Sequence, residues 1–297
     1  MAEAAKGERE SVKQWVVVAA AVACAAALVS GCKRAATVDS LVAQADQLFQ
    51  EARYNDAYSL YRRAADLDPK NAHALIRLAE CCLWLQDAAR GLKWIDRALA
   101  VAPHSAPAWE KKGELLLAQG RAKEAIACFE KALDYDGNLN VARLNLSLAY
   151  EMLGDTASAV RVAREAVALE PKSAEPHFKL GLALQAAGSL DEAEAEYRRA
   201  VALDQKHAAA RLRLARLLVG RNKNLVEARK LAQEADRIEP GDGEAAAVAA
   251  WALYLSGDKK AAVRELEQVA RAHPTNFEVW ALFARGLNEL GHKEAAR

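Results

Sequence analysis

The chain has 297 residues, of which 53% are hydrophobic and 6% aromatic, and its 41 basic and 40 acidic residues leave a formal net charge of +1. This balance argues against a nucleic-acid-binding protein, which ordinarily shows a clear basic excess. Only 15 glycines and 7 prolines interrupt a chain rich in alanine, a composition that favours closely packed helices over a β-rich or disordered protein.

The first predicted element is a targeting segment at the N-terminus. A polar start contains Lys6, Arg9 and Lys13 together with an equal number of glutamates, and Trp15–Val29 then forms an apolar run of 15 residues. A basic start, a short apolar stretch and small residues at its end are typical of a secretory signal peptide. We therefore interpret residues 1–31 as a signal peptide or membrane anchor, and residues 32–37 as a short tether.

The end of this segment, Leu28-Val29-Ser30-Gly31-Cys32, resembles the lipobox of bacterial lipoproteins. The resemblance implies cleavage between Gly31 and Cys32 and a lipid on Cys32, which would attach the N-terminus to a lipid membrane. The alternative is an uncleaved single-span anchor, for which 15 apolar residues are short against the roughly 20 that a span needs. Both interpretations place the rest of the chain in the bacterial cell envelope, facing the periplasm.

From about Val38 a pattern of 34 residues repeats along the chain. In Ala174–Gln205, two short helical segments flank Gly188, and 34 residues earlier Gly154 holds the same position. A fixed period of this length indicates stacked copies of one supersecondary unit. The predicted repeat ends lie 34 residues apart, except for one interval of 35, at Pro69, Pro103, Gly137, Pro171, Gln205, Pro240 and Pro274.

The pattern resembles the tetratricopeptide repeat, a helix–turn–helix unit. The resemblance implies an all-α, right-handed superhelical solenoid over residues 38–297, with seven full repeats and a partial eighth from Phe277. Small residues such as Gly181, at position 8 of a repeat, are expected to let paired helices approach closely. One extra residue near Arg221–Asn224 is expected to lengthen a turn in repeat six. Left-handed turns are expected at Gly120, Gly154, Gly188, Gly257 and Gly291.

The chain shows no pattern typical of a catalytic or metal site. Cys81, Cys82 and Cys128 lack the spacing of zinc ligands and are expected to be buried structural thiols. The six histidines have no partner in a recognised nucleophile motif, and no glycine-rich phosphate loop is present. We therefore predict that the chain is not an enzyme and uses no cofactor, metal or small-molecule substrate.

The first helices are the best candidates for a binding surface, because in tetratricopeptide solenoids they line a concave groove that holds a peptide. Position 6 of successive repeats is occupied by Ala43, Arg77, Lys111, Asn145, Lys179, Arg213, Val248 and Leu282. Position 9 is occupied by Asp46, Glu80, Glu114, Leu148, Leu182, Arg216 and Trp251. In repeats two and three these positions predict local ion pairs at i,i+3. In repeats four to six, the positive charge at position 6 is expected to be less compensated.

The predicted peptide groove therefore consists of the polar line Asn145, Lys179 and Arg213 and the apolar residues Leu148, Phe178 and Leu182. A partner with a carboxylate and an apolar anchor fits this combination. The line is similar to the carboxylate clamp of chaperone-binding members and to the asparagine ladder of O-GlcNAc transferase, although only Asn145 is an asparagine. The alternative interpretation is ordinary helix-surface chemistry.

These features predict a membrane-tethered scaffold that binds protein or peptide partners during the assembly of an envelope complex. Two alternatives stay open. The chain is a regulatory or substrate-presenting subunit of an envelope enzyme, or it is the non-catalytic part of a larger enzyme that continues beyond Arg297.

Overall fold

The computed structural model of the chain describes residues 37–241 and 243–289. The predicted signal peptide or anchor, Cys32 included, and the end of repeat eight lie outside these residues. The described part contains fifteen α-helices and no strand. In chain order the helices are α1 (37–50), α2 (Tyr54–Leu67), α3 (Ala72–Trp84), α4 (Ala88–Val101), α5 (Ala106–Ala118), α6 (Ala122–Tyr135), α7 (Asn140–Met152), α8 (Thr156–Leu169), α9 (Ala174–Ala186), α10 (Leu190–Leu203), α11 (Ala208–Gly220), α12 (Leu225–Ile238), α13 (Glu244–Leu255), α14 (Lys259–Ala272) and α15 (Phe277–Glu289).

The helices confirm the predicted all-α fold and its register. Odd-numbered helices are the first helices of the repeats, and even-numbered helices are the second. The predicted repeat ends follow second helices: Pro69 comes after α2, Pro103 after α4 and Pro171 after α8. None of the helices in this part of the chain is long and apolar enough to cross a membrane.

In repeats one to seven the turn between the two helices contains a left-handed residue, and the longer turn of repeat six contains two, Asn222 and Asn224. Gly120, Gly154 and Gly188 have φ between 72° and 79°, as predicted, and Gly257 has φ 110°. Glycine suits this conformation because it has no β-carbon to clash with the backbone. The turn of repeat six spans 221–224, one residue longer than the turn at 119–121, so the predicted insertion is confirmed there.

The helices form two compact units, α1–α6 and α7–α15. The core of the first unit contains the buried side chains Tyr61, Leu75, Leu78, Ile95 and Leu115. The second unit has one cluster around Leu180, Tyr197 and Leu214 and another around Trp251, Tyr254 and Leu266. Cys81, Cys82 and Cys128 are buried free thiols, as predicted.

Close approach of paired helices depends on a match in size between positions 8 and 24 of a repeat. A β-carbon built on Gly181 would lie 2.5 Å from a ring carbon of Tyr197, and one on Gly113 would collide with the ring of Phe129. The aromatic ring therefore fills the space that the glycine leaves empty. In repeat four both positions hold small residues, Ser147 and Ala163, and both are buried.

We expect Gly181→Leu to destabilise the second unit by about 1–3 kcal/mol, because the added side chain must displace the Tyr197 ring or push α9 away from α10. Thermal or urea unfolding measures the change. Gly220→Leu is the matched control, since nothing lies within 4 Å of a β-carbon built there. Equal stability of Gly181→Leu and the wild type would show that the helix register described here is wrong.

Candidate functional site

In the first unit, the first-helix cations are held by neighbouring side chains. Arg77 Nη1 donates to Glu80 Oε2 at 2.7 Å, which confirms the predicted i,i+3 pair, and Arg77 Nε lies 3.3 Å from Asp46 Oδ1. The guanidinium is 4.2 Å above the Phe49 ring. Tyr61 donates its hydroxyl hydrogen to the same Asp46 carboxylate. Arg77 therefore meets ion-pair, hydrogen-bond and aromatic partners at once.

Lys111 extends this network into repeat three. Its ammonium nitrogen lies 2.9 Å from Glu114, the predicted i,i+3 partner, 3.5 Å from Glu110 and 3.7 Å from Glu80. Glu110 is only 5% exposed. Burial and the neighbouring Glu114 carboxylate raise the pKa of Glu110 to about 8, although the Lys111 charge opposes the shift. Most of the charged groups on the first helices of repeats two and three therefore already form ion pairs or hydrogen bonds with one another.

The predicted groove of repeats four to six lies within the second unit. Its two cations, Lys179 and Arg213, differ in exposure and in their carboxylate neighbours. Lys179 is half-buried, with its ammonium 3.5 Å from Glu175 and 5.8 Å from the Phe178 ring centroid. Burial raises the pKa of Glu151, and the nearby Lys179 charge opposes the rise. Lys179 therefore has a carboxylate neighbour of its own, which positions 6 and 9 did not predict, although it has fewer than the three that surround Lys111.

Arg213 fits the prediction of a less compensated positive charge better than Lys179 does. Its side chain is exposed, and within 37–241 and 243–289 no carboxylate lies within 4 Å of it. It is close enough to Tyr197 that its charge opposes the rise in that phenol's pKa caused by burial. One helical turn later, Arg216 forms an ion pair with Glu244 from α13. Asn145 is half-buried and already has an interaction partner.

The apolar residues of the predicted groove differ in how exposed they are. Leu148 is 38% exposed and Leu182 is half-buried, so both are accessible to a partner. Phe178 is buried and packs against the rings of Tyr197 and His207, with centroids 6.1 and 4.8 Å away. Because Phe178 is buried, it offers a partner less surface than Leu148 or Leu182, although the sequence analysis placed all three against the partner's apolar anchor.

The structure adds Met152 and Glu151 to the candidate groove residues, and it shows how far Val141 is exposed. Val141 and Met152 are about half exposed on the same helix as Leu148, and Glu151 lies beside Met152. They occupy positions 2, 12 and 13 of repeat four, which belong to the inward positions of this repeat type. Reading positions 12 and 13 along the chain, as was done for positions 6 and 9, would have found Glu151 and Met152.

A cavity of about 440 Å³ opens between α11, α13 and α15. Its apolar wall includes Val219, Val248, Trp251 and Leu282. Arg216, Glu244, Glu278 and Arg285 also line it, and the Arg285 guanidinium lies 4.9 Å from the centroid of the Trp251 ring. Cavities of this size with mostly apolar walls and a few polar groups are typical of ligand sites.

Comparison with known proteins supports the assignment of the repeats. Two family models, both described as tetratricopeptide repeat, match the chain. The first matches residues 48–115 and 221–286, and the second matches residues 110–174 and 178–243. The chain belongs to the tetratricopeptide repeat family. This membership supports a protein-interaction module.

Individual relatives are more distant. The human mitochondrial import receptor subunit TOM70 is 29% identical over 134 residues, which cover 44% of this chain and 21% of TOM70. The chain thus spans about a fifth of that relative's length. The tetratricopeptide repeat protein TTC0263 of Thermus thermophilus is 25% identical to this chain, and the two structures superpose with a TM-score of 0.55. The match covers 61% of this chain and 99% of the TTC0263 chain. The type IV pilus biogenesis factor PilW shares the fold at 21% identity and a TM-score of 0.63, over 70% of this chain and 96% of its own.

We expect stability to fall as the pH rises from about 4.5 toward 8, because folding raises the pKa of Glu110 from its ordinary value of 4.5. The neutral carboxyl group suits the buried site, so its contribution is complete below the ordinary pKa and is lost as the group ionises in the folded state. Glu110→Gln should be more stable than the wild type at pH 9, by about 1–3 kcal/mol, and should show a flatter pH dependence.

Thermal unfolding between pH 5 and pH 9 tests this expectation. Asp66→Asn, at an exposed carboxylate of the same unit, is the control and should keep the wild-type slope over this range. Parallel curves for Glu110→Gln and the wild type would show that Glu110 is ionised in the folded protein at neutral pH.

Proposed function

We propose that the chain is a scaffold that binds a segment of a partner protein along the first helices of repeats four to six. The observation that carries this proposal is the exposed guanidinium of Arg213, which has no carboxylate partner among the described residues and shares the first-helix face with accessible apolar side chains. Family membership and the similarity to an import receptor subunit support a protein partner over a small molecule.

The chemistry of this face favours an acidic segment with an apolar anchor. Arg213 offers a charge-assisted, bidentate contact to a carboxylate without first losing an ion pair. Lys179 contributes less, because Glu175 competes for its ammonium group. The apolar anchor would lie against Leu148 on α7 and Leu182 on α9, and Asn145 is on the same helix as Leu148.

We further propose that the scaffold is tethered to a membrane of the bacterial envelope through Cys32. The support is the apolar run Trp15–Val29 and the lipobox-like sequence that ends in Cys32. A tether of about six residues would keep the repeats close to the lipid surface, where partners in envelope assembly are concentrated. The single-span anchor is the competing form of the same attachment.

Arg213→Glu combined with Lys179→Glu should abolish partner capture and leave folding intact. A desolvated charge-assisted contact is worth on the order of 1.5–3 kcal/mol, and a rim contact much less, so most of the loss should come from Arg213. The measurement is quantitative affinity capture from solubilised membranes, with wild-type and variant full-length protein compared side by side and circular dichroism as the folding check.

The control is Arg199→Glu with Lys230→Glu, which reverses two exposed cations on the second helices of repeats five and six. Arg77 and Lys111 are unsuitable as controls, because both hold the polar network of the first unit. Capture that is equally lost in the control would indicate non-specific charge attraction. Undiminished capture by the test variant would show that this face is not the binding surface.

Cys32→Ser should block lipid attachment and leave the precursor unprocessed, because the modified group is the cysteine thiol. Mass spectrometry of membrane-derived protein measures this directly: the wild type should begin at a lipid-bearing Cys32, and the variant should retain residues 1–31. A wild-type protein with an intact N-terminus and an unmodified Cys32 would favour the single-span anchor.

A further inference from the structure

The second helices of repeats one and two carry exposed cations that are mostly not neutralised by carboxylates. These side chains lie on α2 and α4, and together they are called the basic face: Arg62, Arg63, Arg90, Lys93 and Arg97. Arg90 is paired with Asp87 at 2.9 Å. None of the other cations of the basic face has a carboxylate within 4 Å among the residues that the structure describes. They are therefore available to an outside partner.

Few acidic groups on the same two helices oppose this positive charge. The aspartates of α2 and α4 are Asp56, Asp66 and Asp96. Asp56 is paired with Arg53 at 2.6 Å, and Asp96 is paired with Lys112 at 2.8 Å. Asp66 alone is exposed without a cation within 4 Å in the described part of the chain. One carboxylate does not neutralise the whole basic face, so the face keeps a net positive charge.

Comparison with later repeats shows that second helices elsewhere meet through opposite charges. Arg164 on α8, at position 25 of its repeat, lies 2.6 Å from Glu192 on α10, at position 19 of the next repeat and 28 residues later. In repeats one and two the same positions, also 28 residues apart, hold Arg62 and Arg90. Two like charges at these positions repel each other. An anion bound outside them would remove this repulsion, which favours an anionic partner here.

Two aromatic rings orient part of the basic face. Trp94 Nε1 donates to the Tyr58 hydroxyl oxygen at 3.1 Å and so links α4 to α2. The Arg97 guanidinium lies 4.6 Å from the centroid of the Trp94 ring, and the Arg90 guanidinium lies 5.8 Å from that of Tyr58. Stacking on a ring orients a guanidinium without using its N–H donors, which remain free for phosphate oxygens. Half-buried tryptophan and tyrosine also suit the boundary between lipid headgroups and water.

The basic face lies beside the place where the predicted tether joins the repeats. Val38, near the start of α1, is buried in one cluster with Ala64 of α2, and Ala64 directly follows Arg63. The tether, residues 32–37, spans at most about 20 Å when fully extended. With Cys32 at a lipid surface, as proposed above, the start of α1 stays within that distance of the headgroups. The lipid surface is therefore the anionic partner nearest to this face.

We infer that the basic face binds the headgroups of anionic phospholipids, so that repeats one and two lie against the membrane to which the chain is attached. This inference rests on the proposed tether and adds a second contact to it. A membrane containing anionic lipids has a negative surface potential, which attracts cations within about one Debye length, or about 8 Å at physiological salt. The second helices α2 and α4 contact the lipid in this arrangement, and the first helices remain open to a protein partner.

Amide hydrogen exchange of the full-length protein on vesicles tests the inference. One set of vesicles contains phosphatidylcholine alone, and the other contains equal parts of phosphatidylcholine and phosphatidylglycerol. Amides of α2 and α4 should exchange about threefold or more slowly on the anionic vesicles, because contact with the surface restricts local opening. The difference should disappear at about 0.5 M salt, where the Debye length is about 4 Å.

Lys93→Glu combined with Arg97→Glu should abolish this protection, because it reverses two available cations of the basic face. The matched control is Lys260→Glu with Arg264→Glu, which reverses a lysine and an arginine of the same spacing, both exposed, on the second helix α14. The control should keep the protection of α2 and α4. Exchange without vesicles should be the same in both variants and the wild type apart from the substituted sites, which checks that they fold.

The outcomes separate the inference from the proposed tether. Equal exchange of α2 and α4 on both kinds of vesicle, or protection that survives in the test variant, would overturn the inference while co-sedimentation with neutral vesicles still supports the tether. Protein that sediments only with anionic vesicles, and not after the test substitutions, would refute the tether and support the basic face. A polyglutamate peptide that protects α2 and α4 on neutral vesicles as strongly as anionic lipid does would assign the face to an acidic protein instead.

Discussion

The close approach of the two helices in each repeat is the constraint on which the other features depend. The ring of Tyr197 occupies the space where Gly181 has no side chain, and Phe129 does the same opposite Gly113. Because this contact fixes the rotation of each first helix, it also decides which of its positions face away from the second helix. Exposure of Leu148 and Arg213 on the first-helix face thus follows from small residues elsewhere in the repeat.

The two units use the same first-helix positions in different ways. In the first unit, cations at position 6 are enclosed by carboxylates at position 9, and Lys111 lies within 4 Å of three carboxylates in all. A partner would have to break these pairs and leave buried charges behind, which is costly. In the second unit, position 9 is apolar in repeats four and five, so Arg213 keeps its guanidinium available. This difference favours the second unit as the proposed binding surface on energetic grounds.

Much of this organisation could be predicted from the sequence, because it depends on separations within one repeat. The period predicted the helix pairs, the left-handed glycines and the Arg77–Glu80 and Lys111–Glu114 pairs. Interactions between repeats were harder to foresee. The Lys111–Glu80 contact and the Arg216–Glu244 pair join residues about one period apart, and side-chain conformation decides whether they meet. Burial of Phe178 depends on Tyr197 and His207 together, so its position in the first helix did not reveal it.

The central claim is that a partner segment lies on the first-helix face of the second unit. Amide hydrogen exchange of the full-length chain, with and without the captured partner, tests it most directly, since exchange reports local opening helix by helix. The account predicts slower exchange in α7, α9 and α11, and unchanged exchange in α8, α10 and α12 of the same repeats. Protection confined to α10 and α12, or to α3 and α5 of the first unit, would contradict it.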